Sequence, residues 1–326
     1  VMTDVEDGTI PEDAKPDPSE LGFDLDRAAD AVVGLRADVP EDAFTAEPLG
    51  TERQGAGVVI HENGLVLTIG YLVTEASQVW LSTNRGTAAP ADIVAYDQAT
   101  GFGLLQALGK LDVPALEIAP AAGAQVGSTV VIVGAGGADN AMKSRLAAKR
   151  EFAGYWEYLL EQALFTVPAH PRWSGTAMLD ETGKLLGIGS LLVQTTTAGG
   201  QTQAGNMFVP ADLLPPILDE LVSYGQVRRT PRPWLGFYPA ETDEGIEITA
   251  TADTGPAAKS GIDAGDVVVE VAGMPVESLA DLYRTMWNLG PAGTEVPLTV
   301  LRDGQARTIT VTSGNREDYL RRPALH

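Results

Sequence analysis

Ser174 is the residue best placed to do covalent chemistry. It lies in His170-Pro171-Arg172-Trp173-Ser174-Gly175-Thr176-Ala177-Met178-Leu179, within a turn of small residues. A serine hydroxyl is a weak nucleophile until a neighbouring base takes its proton and a third group orients that base. The chain has three histidines. Two of them are candidates for the base: His170, four residues before Ser174 on the same loop, and His61, at the end of a hairpin. A base must reach the hydroxyl in hydrogen-bond geometry and be held there by a partner, whereas a loop histidine is expected at the surface. Two readings of Ser174 therefore stand, a working nucleophile and a hydroxyl merely tolerated in its turn. The run Gly134-Ala135-Gly136-Gly137 has a superficial dinucleotide-binding look. Asp139 takes the place of the third glycine and no crossover helix follows, so it is read as a β-turn.

The elements that must position Ser174 are mostly short strands. From Gly55 to Pro210, β-branched runs alternate with Gly, Pro and Asn breaks. Val58-Val59-Ile60-His61 and Leu65-Val66-Leu67-Thr68 flank Asn63-Gly64, which is a hairpin signature. Further strands are expected at Gln78–Leu81, Ala91–Tyr96, Gly103–Ala107, Thr129–Gly134, Lys143–Phe152, Leu164–Val167, Leu185–Leu192 and Met207–Val209. Strands at this spacing without long intervening helices predict a sandwich or barrel, not a parallel sheet. A helix over Leu25–Val33 precedes the first strand, Val33–Arg36, and a helix over Ala211–Gly225 closes the region, its prolines in the first turns. After a basic, proline-rich joint, the remainder is the length of one small module. Its strands are Gly245–Ala250, Val267–Val271, Glu295–Arg302 and Gln305–Thr312, with helices at Pro256–Ser260 and Ser278–Leu289.

Composition narrows the function classes. The net charge of −22 argues against nucleic acid and disfavours an anionic membrane surface. There is no cysteine, so disulfides and thiolate metal sites are excluded. No metal cluster or cofactor motif is present, and no apolar run is long enough to insert in a membrane. No basic start followed by an apolar stretch is visible, so no signal peptide is read in the chain. Residues 1–24 are rich in acid and proline and read as an extended arm that, if ordered, lies against something.

The order of these segments resembles the HtrA/Deg family of trypsin-like serine proteases. Gly55-Ala56-Gly57-Val58-Val59-Ile60 with Gly64-Leu65-Val66-Leu67-Thr68 is similar to the family's first hairpin. Asn206-Met207-Phe208-Val209-Pro210 and the following helix are similar to its exit from the second barrel. Pro256-Ala257-Ala258-Lys259-Ser260-Gly261-Ile262 with Gly265-Asp266-Val267-Val268 is similar to the middle of its PDZ domain. The resemblance implies a mainly β fold: a chymotrypsin/trypsin-like double six-stranded β-barrel followed by a PDZ domain. The expected domains are an arm at 1–24, the double barrel at 25–226, a linker at 227–233, the PDZ domain at 234–314 and a tail at 315–326.

Under this resemblance Ser174 is the nucleophile position, but Tyr71 stands where the histidine should be and Gly101 where the orienting aspartate should be. Arg172 replaces the glycine whose amide would help bind the oxyanion, and Thr176-Ala177 replaces Gly-Pro. A phenol with a pKa of about 10 is no base near neutral pH; Tyr71 is expected to be packed with its hydroxyl satisfied by backbone. Trp234-Leu235-Gly236-Phe237 is similar to the carboxylate-binding loop of PDZ domains, where backbone amides hold a peptide's terminal carboxylate; the alternative is a strand that only anchors the module. The resemblance thus implies an HtrA-like pseudoprotease that binds protein or peptide C-termini, with an active endopeptidase using an unorthodox base, or a scaffold subunit, as competing expectations. It also implies an extracytoplasmic, often periplasmic, setting and a possible homo-oligomer or larger assembly.

Overall fold

The computed structural model describes residues 9–196, 200 and 202–321, which form two compact units. The first comprises the described parts of 1–150 and 162–227; the second joins Glu151–Glu161 to Arg228–Arg321.

In the first unit, Asp24 accepts a hydrogen bond from the Arg27 amide and so starts α1 (Leu25–Asp30). The helix stops one turn earlier than the sequence suggests, because Val32 and Val33 are drawn into β1 (Val32–Asp38). The chain continues through β2 (Glu52–His61), β3 (Leu65–Ile69), β4 (Gln78–Ser82), β5 (Ala88–Asp97) and β6 (Phe102–Ala107). These strands close into a barrel in the order β1-β2-β3-β6-β5-β4. At the β2–β3 turn Gly64 adopts a φ of +85°, and the Asn63 side chain accepts from the Leu65 amide. The sequence did not single out a short helix, α2 (Ala46–Leu49), between β1 and β2.

A second closed barrel follows, in the order β10-β11-β12-β9-β8-β7. Its strands are β7 (Thr129–Val133), β8 (Ala141–Gly154), β9 (Tyr158–Val167), β10 (Ala177–Leu179), β11 (Leu185–Thr196) and β12 (Thr202–Pro210). Strand β3 is buried at every position, one face inside its own barrel and the other against β11. The described part of the acidic arm does lie against something: Ile10 is buried with Val130, Ile132, Met142, Leu146 and Phe208 of the second barrel. The helix expected over Ala211–Gly225 is split. Pro215 and Pro216 cannot donate amides, so a 3₁₀ turn at Ala211–Leu213 gives way to a late α3 (Leu218–Tyr224), which Gly225 ends at a φ of +70°.

The second unit is a sheet in the order β13-β14-β15-β17-β18, from β13 (Phe237–Thr242), β14 (Gly245–Thr251), β15 (Val267–Val271), β17 (Glu295–Arg302) and β18 (Gln305–Thr312), with a two-residue β16 (Met274–Pro275) beside β15. Two helices, α4 (Pro256–Lys259) and α5 (Leu279–Asn288), accompany it. Ser278 caps α5 by accepting from the Asp281 amide. The apolar side of α5 (Leu279, Leu282, Tyr283, Met286) is buried in the core with Leu235, Phe237, Ile248 and Leu298. That core also takes in Leu159. This burial explains why the tip of the β8–β9 hairpin belongs to the second unit although the sequence placed all of 25–226 in one domain.

Candidate functional site

Ser174 lies on the loop between β9 and β10, held where the two barrels meet. The Ala56 amide on β2 donates to the Ser174 carbonyl at 2.8 Å. Gly175 follows at a φ of +75°, and a Cβ there would sit 1.9 Å from the Ala56 carbonyl oxygen. Only glycine permits this approach.

Tyr71 occupies a 3₁₀ turn, Gly70–Leu72, that follows β3. Its phenol oxygen is 2.8 Å from Ser174 Oγ and 2.7 Å from the Ser190 carbonyl oxygen. The phenol has one proton and a carbonyl can only accept, so Tyr71 donates to Ser190 and the Ser174 hydroxyl donates to Tyr71. Burial pushes the phenol up to about 12, against the pull of its hydrogen bonds to Ser174 and Trp173. It therefore keeps its proton and takes none from the serine.

Gly101, in the turn from β5 to β6, contributes backbone alone. Its carbonyl accepts from the Gly70 amide at 2.7 Å, tying this turn to the one that carries Tyr71. The nearby carboxylate, Asp97, is buried and accepts from the Thr100 amide (3.0 Å) and hydroxyl (2.7 Å). It serves the turn.

His170 departs from its expected surface position: it is fully buried. The Arg172 amide donates to His170 Nδ1 at 3.1 Å, and His170 Nε2 lies 3.1 Å from the Asn140 carbonyl oxygen. Since Nδ1 accepts, the ring proton is on Nε2, and burial holds the imidazole below its ordinary pKa. Asn206 on β12 completes the arrangement by accepting from the His170 amide at 2.6 Å. Both ring nitrogens are thus spent on backbone, and the Arg172 amide, the expected oxyanion donor, is directed at the histidine. His61 is exposed, and its Nδ1 accepts from the Asn63 amide. Gly134-Ala135-Gly136-Gly137 is a bend running into a 3₁₀ turn, with no helix after it.

Arg53 was not anticipated. It is buried on β2 and donates to the carbonyls of Gly50, Tyr71, Thr74 and Thr45 and to the Thr45 hydroxyl. Glu75 accepts from the Phe44 amide and from the Thr45 amide and hydroxyl. Burial lowers the guanidinium pKa while the Glu75 charge opposes this. Period two along β2 carried the signal, since Arg53 falls inward between the exposed Glu52 and Gln54.

A cleft of about 700 Å³ opens beside Ser174, lined by Arg36, Trp80, Arg172 and Trp173 among others. Among the described residues, no group of His, Asp or Glu gathers as metal ligands, and no helix is long and apolar enough to cross a membrane.

In the second unit, the side chains of Trp234, Leu235 and Phe237 are buried. The Trp234 ring packs on Tyr319 at 4.6 Å, and its main chain bridges to Gly314. Gly236 turns at a φ of +73°. The Leu235 and Gly236 amides both meet a carboxylate, that of Glu157: Leu235 donates at 3.0 and 3.2 Å to its two oxygens, and Gly236 at 2.8 Å.

Two closed six-stranded barrels with a serine loop between them, followed by a small sheet with a carboxylate on a glycine loop, agree with comparisons to known proteins. Residues 55–188 match the family described as trypsin-like peptidase domain, and residues 233–312 match the PDZ domain family. The chain carries a trypsin-like peptidase domain and a PDZ domain. It is similar to the probable periplasmic serine endoprotease DegP-like of Halomonas elongata, with 28% identity over 277 residues, 81% of this chain and 57% of that protein. It is also similar to the periplasmic serine endoprotease DegP of Salmonella typhimurium, with 26% identity over 269 residues, 79% of this chain and 56% of that protein. The chain thus spans little more than half the length of these relatives. In fold the trypsin-like and PDZ domains resemble the HtrA-type protease AlgW with tripeptide, at a TM-score of 0.53 and 23% identity, covering 95% of this chain and 99% of that one.

Proposed function

We propose that this chain is an HtrA-like pseudoprotease that works by holding protein segments, not by cutting them. The observation that carries the reading is the hydrogen bond from Ser174 to Tyr71, a phenol that has already given its own proton to the Ser190 carbonyl. A trypsin-like enzyme needs a group that removes the serine proton and another that stabilises the resulting cation. Tyr71 and Gly101 supply neither. Loss of such groups leaves at best the roughly 10³–10⁴-fold effect of binding and oxyanion stabilisation, and the Arg172 amide is engaged with His170. The competing reading, an endopeptidase with an unorthodox base, requires His170, whose ring nitrogens are both occupied. The cleft with its tryptophans and the PDZ module remain as surfaces for protein segments. By resemblance to relatives named periplasmic, the setting is extracytoplasmic.

Labelling with a fluorophosphonate probe tests this reading. The expected result is no signal that depends on Ser174; labelling of the wild type that disappears in Ser174→Ala would overturn it.

A further inference from the structure

The loop Trp234–Phe237 presents its amides to a carboxylate supplied from within the same chain. Glu157 is buried at the tip of the β8–β9 hairpin, at a φ of +57°, a conformation few side-chained residues adopt without compensation. The compensation is visible, because its carboxylate receives the Leu235 and Gly236 amides. The rest of the tip is docked as well. The Tyr283 hydroxyl on α5 donates to the Gly154 carbonyl at 2.7 Å. Tyr155 meets Tyr238 of β13 edge to face at 6.3 Å, and Leu159 enters the core. Arg284 on α5 pairs with Glu151 and Glu161, which flank the tip. The segment therefore contacts β13, α5 and the glycine loop together. Strand β13 is the terminal strand of its sheet and pairs with β14 alone, so it is the edge to which an extended peptide would add.

We infer that the β8–β9 tip is a built-in ligand of the PDZ domain, with Glu157 standing in for a peptide's terminal carboxylate, so that a C-terminal peptide binds only by displacing it. The inference rests on the reading that the PDZ domain takes protein C-termini, and it is independent of whether Ser174 reacts. A tethered ligand competes at an effective concentration in the millimolar range, so ordinary micromolar peptides are held off by the intact chain. The ligand class it excludes is a free carboxylate at the end of an extended apolar segment.

The test uses the full chain as wild type, Glu157→Gln, Glu157→Ala and Tyr283→Phe, the last loosening the tip without touching the carboxylate. Each protein is titrated, by fluorescence anisotropy, with a pool of fluorescent decapeptides ending in apolar residues, made with either a free or an amidated C-terminus. Circular dichroism confirms folding, and mass spectra of the recovered peptides report any cleavage. Free-acid peptides are expected to bind Glu157→Ala at least about tenfold more tightly than wild type, with amidated peptides unchanged and Tyr283→Phe intermediate. Hydrogen exchange at the Leu235 and Gly236 amides is expected to quicken in the glutamate variants. Unchanged exchange would overturn the internal ligand. Faster exchange without a gain for the free-acid pool would overturn the competition while leaving the contact in place. Peptide cleavage that disappears in Ser174→Ala would instead remove the proteolytically silent reading and leave the binding comparison intact.

Discussion

On the proposed reading, a serine whose proton is already donated to a neutral phenol is chemically quiet, and the same bond makes Tyr71 structural. Tyr71→Phe would leave the Ser190 carbonyl and the Ser174 hydroxyl without this partner, so it is expected to destabilise the protein by about 1–3 kcal/mol, measured by urea denaturation. Tyr71→His alone is expected to restore no casein hydrolysis, because Gly101 offers the new imidazole no carboxylate and the Arg172 amide remains on His170. Appearance of turnover in that single variant would contradict this account. The family resemblance located Ser174, Tyr71, Gly101 and Arg172. It did not reveal where each proton resides, because that depends on distant partners: Tyr71 meets Ser190 across a separation of 119 residues, and His170 meets Asn206 across 36. Arg53 was legible only as an inward position; that it clasps the Tyr71 carbonyl follows from the turn after β3.

At the scale of elements, turns set the geometry that the strands carry. Gly175→Ala would force a Cβ into the Ala56 carbonyl at a positive φ. A loss of at least about 2 kcal/mol is expected, visible as a lower denaturation midpoint with β-barrel circular dichroism retained. The β8–β9 tip makes a pH-dependent prediction. Burial raises the Glu157 carboxyl from 4.5 to about 8, while the amides of Gly236 and Leu235 and the Arg316 charge pull it down. A folded-state pKa raised in this way means the contact is fully present below pH 4.5 and is lost as pH rises through about 8. The Tyr283 phenol, a further ionisable group beside it, is itself raised by burial and stays neutral across this range. Free-acid peptide affinity of the wild type should therefore climb between about pH 5 and 8 towards that of Glu157→Ala, while Glu157→Gln, which has no ionisable group at this position, should change little. Strands and hairpin turns were readable from alternation and Asn-Gly chemistry, whereas the helix near Pro215 was not. Period and propensity mark an apolar run, but two adjacent prolines decide where its amides can begin to pair.

Over the whole molecule, a unit boundary does not follow chain order. The PDZ core is completed by Leu159, a residue encoded within the second barrel's hairpin. Burying such a side chain contributes about 2 kcal/mol, so a fragment restricted to residues 228–321 is expected to be less stable than the same unit within the chain. A synthetic peptide spanning residues 151–161 should raise the fragment's melting temperature in a concentration-dependent way. The same peptide carrying Glu157→Ala should raise it less. No change on adding the wild-type peptide would show that the tip adds nothing to the PDZ unit's stability. The family resemblance was legible across the chain because it rests on the order of local motifs. The exchange of a hairpin tip between units was not, because no local pattern distinguishes a tip that faces solvent from one that enters another core.

Glu157 and the loop that holds it are 78 residues apart in the chain. At roughly 5–20 residues per second, synthesis separates them by about 4–16 seconds. During that interval the tip is a newly made segment with an apolar leucine, several aromatic rings and no groove to enter. Birth order thus gives the hairpin a period of exposure that the finished protein never shows; Trp234–Phe237 brings the first partner amides, and only the later α5 and strands to β18 end it.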